Sequence, residues 1–259
     1  MKILLMTDIE GITNVDTFEM MQRDAGEGYV KSCTELMLDT NAAIEGFYEA
    51  GVEKVYVYDG HAKGTNFIKE MLDPRAEQIY SHNWHKLITG GEIDAFAEVG
   101  LHAMAGTEKA FLEHTQSSKT WFDYQINGTS CGEFIQGAAY VGAYNIPFIF
   151  ASGDEAACNE ARSFIPDIAT AIVKHATERN IAKSLPTIEA RNLIRTTAFE
   201  STKLISTIKP YKISLPAEIT VTFQRTDYCD EAAKKYERVN SRTVRKIIDE
   251  IADFRSLIL

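Results

Sequence analysis

Asp8 and Glu10 close the run Ile3-Leu4-Leu5-Met6, the first apolar stretch of the chain, and stand two residues apart in Thr7-Asp8-Ile9-Glu10-Gly11. If a strand runs through them, alternation of side chains points both carboxylates the same way, where they repel unless a cation lies between them. Further groups of metal-binding type follow at similar breaks in the pattern. Asp59 and His61 come after the apolar stretch 52–58, His102 after 95–101, and Glu133 shortly after the turn at Asn127-Gly128, with His114 downstream of His102. Three carboxylates and two imidazoles (Asp8, Glu10, Glu133, His61 and His102) exceed the needs of one tetrahedral zinc. They suit two divalent ions sharing a carboxylate, with Asp8 the natural bridge. Nitrogen and oxygen donors without a thiolate favour zinc, with manganese or cobalt as substitutes. Water held by two such ions is activated near neutral pH, so the chemistry expected is metal-assisted hydrolysis.

The elements that must position these groups follow from apolar spacing. Ile3 to Met6 is continuously apolar, as in a parallel strand covered on both faces, and ligand sites in such sheets form at strand carboxyl ends. Residues 27–50 carry helical spacing through Tyr29, Cys33, Leu36, Met37, Ile44 and Phe47, and stop at Gly51. Val52-Glu53-Lys54-Val55-Tyr56-Val57-Tyr58 is a second strand, and the right-handed crossover rule sets Asp8, Glu10, Asp59 and His61 on one rim. Ala95 to Leu101 is a strand ending at His102, Trp121 to Ile126 a strand leading into the Asn127-Gly128 turn, and Glu133 opens a helix. A carboxylate in that first turn is favoured by the helix dipole in any case. Pro147 to Ala151 is a buried strand ending in Ser152-Gly153-Asp154, followed by a helix to Phe164, and 168–173 is a last short strand. Ser81-His82-Asn83-Trp84-His85 reads as a polar loop with two surface imidazoles.

Beyond Lys183 the texture changes. Ser184-Leu185-Pro186 is a linker candidate, 187–208 a long helix, 218–225 a strand with one wet face, and 227–236 and 243–257 two more helices. The fold class expected is therefore α/β: a mostly parallel, three-layer sheet with helices on both faces, plus a smaller α+β C-terminal part. The expected division is a catalytic domain over 1–183 and a smaller domain over 184–259, the latter serving as scaffold, lid or oligomer surface.

The 259 residues are 45% hydrophobic and 25% charged, with a net charge of −10. A full core is within reach, and without a basic run a nucleic-acid partner is not expected. Apolar stretches fall short of a membrane span and no export leader is visible, so a cytoplasmic location is expected. Cys33, Cys131, Cys158 and Cys229 are scattered without a C-x-x-C pair, which fits reduced thiols.

The sequence resembles the bacterial zinc D-aminopeptidases of the dipeptide-transport type. The resemblance is carried by T-D-I-E-G at 7–11, D-G-H at 59–61, G-L-H-A at 100–103, E-H-T at 113–115, and N-G-x-x-x-G-E at 127–133. It continues through Gly142 to Pro147 and Ala151 to Asp154. It implies two zinc ions per subunit on Asp8, Glu10, His61, His102 and Glu133, with His114 as the catalytic histidine. It further implies a large self-compartmentalised homo-oligomer, a decamer, acting on short peptides with an N-terminal D-amino acid. Met6 departs from the serine usual in that family. Two other readings of the residues stand beside this one: a binuclear phosphoesterase, disfavoured because no basic residue accompanies the ligands, and a non-enzymatic, metal-stabilised dipeptide-binding subunit.

Overall fold

Apolar strands separated by amphipathic helices build the sheet that carries the rim. The computed structural model describes residues 1–259, apart from the side chains of Ala25, Ser81 and His82. In chain order the elements are β1 (Lys2–Thr7), α1 (Glu27–Glu49), β2 (Lys54–Asp59), β3 (Glu77–Ile79), α2 (Ser81–Thr89), β4 (Ala95–Leu101), β5 (Trp121–Ile126), β6 (Thr129–Ser130) and α3 (Glu133–Ala143). There follow β7 (Phe148–Asp154), α4 (Glu155–Phe164), β8 (Ala169–Glu178), β9 (Ile181–Ser184), α5 (Thr187–Ser201), β10 (Ala217–Phe223), α6 (Thr226–Ala232), β11 (Glu237–Arg238) and β12 (Thr243–Ile248). The main sheet has the order β3-β2-β1-β4-β7-β8-β9 and is parallel except for β9. A second, antiparallel sheet runs β11-β12-β10-β5-β6.

Side-chain alternation divides the core in two. Ile3 and Leu5 of β1 and Ala95, Ala97 and Val99 of β4 face α1 and α5, joining Leu36, Phe47, Ala190 and Ile194. Leu4 and Phe96 face the other way, toward Trp84 of α2, Phe134 and Ala138 of α3, Ala157 of α4 and the inner residues Tyr124, Ile219 and Val221 of the second sheet. These are the three layers expected of α/β packing. After β1 the chain winds outward through β2 and β3, then returns to the other side of β1 with β4. That reversal leaves a crevice at the carboxyl ends of β1 and β4, where such sheets bind ligands. The second sheet takes β5 and β6 from the chain before residue 184 and β10 to β12 from the chain after it, while α5 packs on α1 and β8.

Four expectations need correction. Residues 243–257 do not form a helix: Thr243–Ile248 is strand β12, paired with β10, and only Phe254–Ser256 turn helically. The β-branched Thr243, Val244, Ile247 and Ile248 suit a ladder, and an open edge of β10 was there to receive them. The polar loop around Trp84 is helix α2, held by Trp84 and Ile88 in the core; the His82 side chain lies outside the described residues. The last strand of the layer is longer than 168–173 and doubles back as β8 and β9. The helix from Thr187 ends at Ser201 and gives way to one tighter turn, Thr202–Leu204. Among the described residues, no helix is long and apolar enough to cross a membrane.

Candidate metal centre

The centre is assembled from loops that leave adjacent strands. β1 ends at Thr7, so Asp8 and Glu10 are not strand residues, and alternation is not what aligns them. Instead Asp8 N–H donates to the Val99 carbonyl (2.8 Å) and Gly11 N–H to Gly100 (2.8 Å), which bends the 8–11 turn over β4. Lys174, fully buried on β8, donates to the Glu10 and Val15 carbonyls and pins the far side of the turn. Gly100 has φ +88°, and a Cβ there would stand 2.0 Å from the Asp8 carbonyl oxygen, so the approach needs glycine twice over.

The two oxygens of Asp8 face different partners. Oδ1 lies 2.7 Å from His61 Nδ1, which is also 3.1 Å from Glu10 Oε2. Oδ2 lies 3.3 Å from His102 Nε2, which is 3.4 Å from Glu133 Oε1. Asp8, Glu10 and His61 form one trio with donor atoms mutually within 4.8 Å, and His102, His114 and Glu133 form another. The structure thus brings all six sequence-derived residues into one centre. His114 stacks on His102 with ring centroids 3.9 Å apart, and its Nε2 is 3.8 Å from Glu133 Oε1.

Backbone carbonyls set the imidazoles. His102 Nδ1 is 3.0 Å from the Ala103 carbonyl and His114 Nδ1 is 2.8 Å from that of Leu112, so each ring turns Nε2 inward. Asp59 does not join the rim cluster. Its carboxylate accepts from Asn66 N–H (2.6 Å) and Asn66 Nδ2 (2.9 Å), and Asn66 in turn donates to the His61 carbonyl, which fixes the loop that delivers His61. Asp154 caps α4 by accepting from Ala157 N–H and also accepts from Phe111 N–H, anchoring the segment before His114. Cys131 is a buried free thiol.

The electrostatics are those of an acid cluster in want of cations. Burial alone would pull His61 down, but the carboxylates of Glu10 and Asp8 carry it up to about 12. His102 is likewise raised against its burial by Asp8 and Glu133. Burial would raise Asp8, yet His102 and His61 hold it well below the usual carboxylate range. In the bare protein the imidazoles must therefore supply the positive charge themselves. Glu10 Oε2 is buried and lacks a well-formed hydrogen bond, since its neighbour His61 Nδ1, 3.1 Å away, is engaged by Asp8 Oδ1. An orphaned carboxylate oxygen beside imidazole nitrogens, with no thiol in the set, fits divalent metal of the zinc type.

A cavity of about 570 Å³ opens onto the centre, lined by Asp8, Glu133, Gly60, Gln116, Met6 and Glu98, with Tyr58, Trp84 and Phe254 as an aromatic wall. Arg255 lines it too, ion-paired with Asp253. Sequence reading missed Gln116, whose N–H donates to Glu133 Oε1 (2.7 Å), and Glu160, which accepts from Met104 and Gly132 N–H groups close in sequence to His102 and Glu133. It also missed Glu98, although a lone acid in the strand Ala95–Leu101 was a readable signal.

Fold and centre define a class: a three-layer α/β protein with paired nitrogen and oxygen donors at the carboxyl ends of its strands. A family profile described as D-aminopeptidase matches residues 1–259. A D-aminopeptidase of Bacillus subtilis (strain 168) is 31% identical over 206 residues, covering 77% of this chain and 73% of the relative. Among solved structures, the Zn-dependent D-aminopeptidase DppA from Bacillus subtilis, a self-compartmentalizing protease, matches with a TM-score of 0.92. It does so at 22% identity, over 100% of this chain and 96% of that one. The chain belongs to the D-aminopeptidase family of peptide hydrolases.

Proposed function

We propose that this protein removes N-terminal D-amino acids from short peptides and amides, using two zinc ions per subunit, for which manganese or cobalt can substitute. Asp8, Glu10 and His61 would hold one ion, and Asp8, His102 and Glu133 the other. The observation that carries this reading is the split of the Asp8 carboxylate, Oδ1 toward His61 and Oδ2 toward His102. When bound, such ions supply Lewis acidity toward the carbonyl and lower the pKa of water.

The chain's own groups do the rest. His114 reaches only Glu133 of the acid set, its Nδ1 being committed to Leu112, which leaves Nε2, on the Glu133 side, to move a proton or steady the oxyanion. Gln116 holds Glu133 in place through its N–H. The aromatic wall of Tyr58, Trp84 and Phe254 offers apolar surface to the substrate side chain, and the cavity suits a small ligand. The D-aminopeptidase names of the relatives support the stereochemistry, and the self-compartmentalizing relative supports a homo-oligomer, which we take to be a decamer in the cytoplasm.

The test is turnover of a panel of D- and L-alanyl amides with and without chelator. Hydrolysis of the D-alanyl amide that stops on chelation and returns with zinc is expected. Chelator-insensitive turnover, or preference for the L-alanyl amide, would overturn the reading.

A further inference from the structure

Strand β4 reads Ala-Phe-Ala-Glu-Val-Gly-Leu, and every residue of it is buried. Alternation puts Glu98 on the same face as Phe96, with Met6 of β1 and Ala151 of β7 as its strand neighbours. Neither neighbour carries a side-chain donor. Glu98 is 2% exposed, lines the cavity of the metal centre, and its Oε2 has no hydrogen-bond partner. Burial, with the Asp8 charge adding to it, pushes the carboxyl well above the usual range. A buried acid with no donor is unfavourable for folding, so each such group asks for a use.

Of the other polar groups of this wall, the Thr7 hydroxyl is also buried without a partner but is neutral, and the charged ones outside the metal centre are paired. His85 is bonded to the Tyr140 hydroxyl, Arg255 and Asp253 pair with each other, and Gln116 bonds Glu133 and Gln136. Glu98 alone, among the described residues of the cavity outside the metal centre, presents an unsatisfied carboxyl oxygen.

Taking the aminopeptidase reading as given, we propose that Glu98 receives the α-ammonium group of the substrate. Every aminopeptidase substrate carries that group, and its three N–H donors are what an orphaned carboxyl lacks. Placement agrees. Glu98 pairs with Met6, two residues before Asp8, and Glu98 and Asp8 line the same cavity. One carbon separates the α-nitrogen from the scissile carbonyl, so the group that takes the nitrogen must sit a side-chain length from the centre that activates the carbonyl. Met6, its partner on β1, offers Glu98 no hydroxyl.

The experiment uses the metal-loaded, full-length protein and the variants Glu98→Gln and Glu98→Leu. Metal content is measured first and is expected to be unchanged. Calorimetry then compares binding of D-alaninamide and D-lactamide, which differ by an ammonium against a hydroxyl. Wild type is expected to prefer D-alaninamide, and both variants to lose that preference by ~10- to 100-fold. KM for a D-alanyl anilide should rise to a similar degree, with kcat little changed. Removal of the orphaned carboxyl should also raise Tm in Glu98→Leu by ~2–6 °C, which separates a binding defect from a folding one.

An undiminished preference in both variants, with metal intact, overturns the assignment while leaving the peptidase reading in place. So does a loss confined to substrates such as D-ornithyl amide, which would place a side-chain amine at Glu98 instead of the α-ammonium. Absence of any aminoacyl-amide turnover by wild type would instead overturn the peptidase reading, and the binding comparison still decides the role of Glu98.

Discussion

Glu160 joins the two chain segments that deliver His102 and Glu133, and replacing it with glutamine is a sharp test of how the centre is held. Its Oε2 accepts the Met104 N–H at 2.7 Å and its Oε1 the Gly132 N–H at 3.1 Å, with the side chain on α4 almost wholly buried. Met104 follows His102 by two residues, and Gly132 immediately precedes Glu133. Glutamine keeps one acceptor oxygen, so whichever way it turns, one N–H meets an amide NH2. A buried donor left unpaired costs ~1–3 kcal/mol, which for a chain of this size lowers Tm by ~2–12 °C. Misplacing the ligands by a fraction of an ångström should lower kcat/KM by ~10- to 100-fold.

Glu160 also gives a pH signature. Burial pushes its carboxyl up to about 7, above its unfolded value. The folded state therefore binds the extra proton, and the stability this contributes is fully present below pH ~4.5 and is lost as pH rises through 7. The amount is ~3 kcal/mol in metal-free protein, where no added cation draws the carboxyl down. Urea unfolding of chelated wild type and Glu160→Gln between pH 5 and 8 should show that slope in wild type alone. Equal Tm and equal slopes in the two proteins would refute the bridging role.

Asp8→Ala should lose both metals or retain one weakly, and two tightly bound ions per chain in that variant would end the bridging assignment; His61→Ala and His102→Ala should each lower metal content with the fold intact, as far-ultraviolet circular dichroism can check. His114→Ala should keep its metals and lose ~10²- to 10⁴-fold in kcat; metal lost with activity would make His114 a ligand, and near wild-type turnover would make it a bystander. Gly100→Ala, with a Cβ 2.0 Å from the Asp8 carbonyl and φ at +88°, should destabilise by ~2 kcal/mol or more and release metal. A Gly100→Ala protein with unchanged Tm and zinc content would mean that the turn over β4 is softer than its packing implies.

Asp8, Glu10, His61 and His102 were readable because each follows an apolar run, and in a parallel sheet those breaks share one rim; Glu133 opens a helix beyond the hairpin of the second sheet, and the role of His114 was legible only through the family motif. Asp8 and Glu10 were found for a reason the structure replaces: they lie past the strand, and hydrogen bonds to Val99 and Gly100 align them. Residues 243–257 were misjudged because Val244, Ile247 and Ile248 fit a helical spacing as well as a strand, and only the open edge of β10 decides between them. The second sheet was hidden for the same reason, since its pairing joins β5 to β10 across ninety residues of sequence. Glu160 gave no local signal, because its partners are backbone N–H groups in distant loops. Glu98 did give one, as the single charge in a buried strand, but its meaning required the cavity.

The central claim, a two-ion hydrolase centre bridged by Asp8, is tested most directly by titrating chelated protein with zinc while recording hydrolysis of a D-alanyl amide. Activity that is absent at the start and climbs to a plateau at two equivalents of zinc per chain is the predicted result. Activity that survives chelation, or that reaches its plateau at one equivalent, would contradict it.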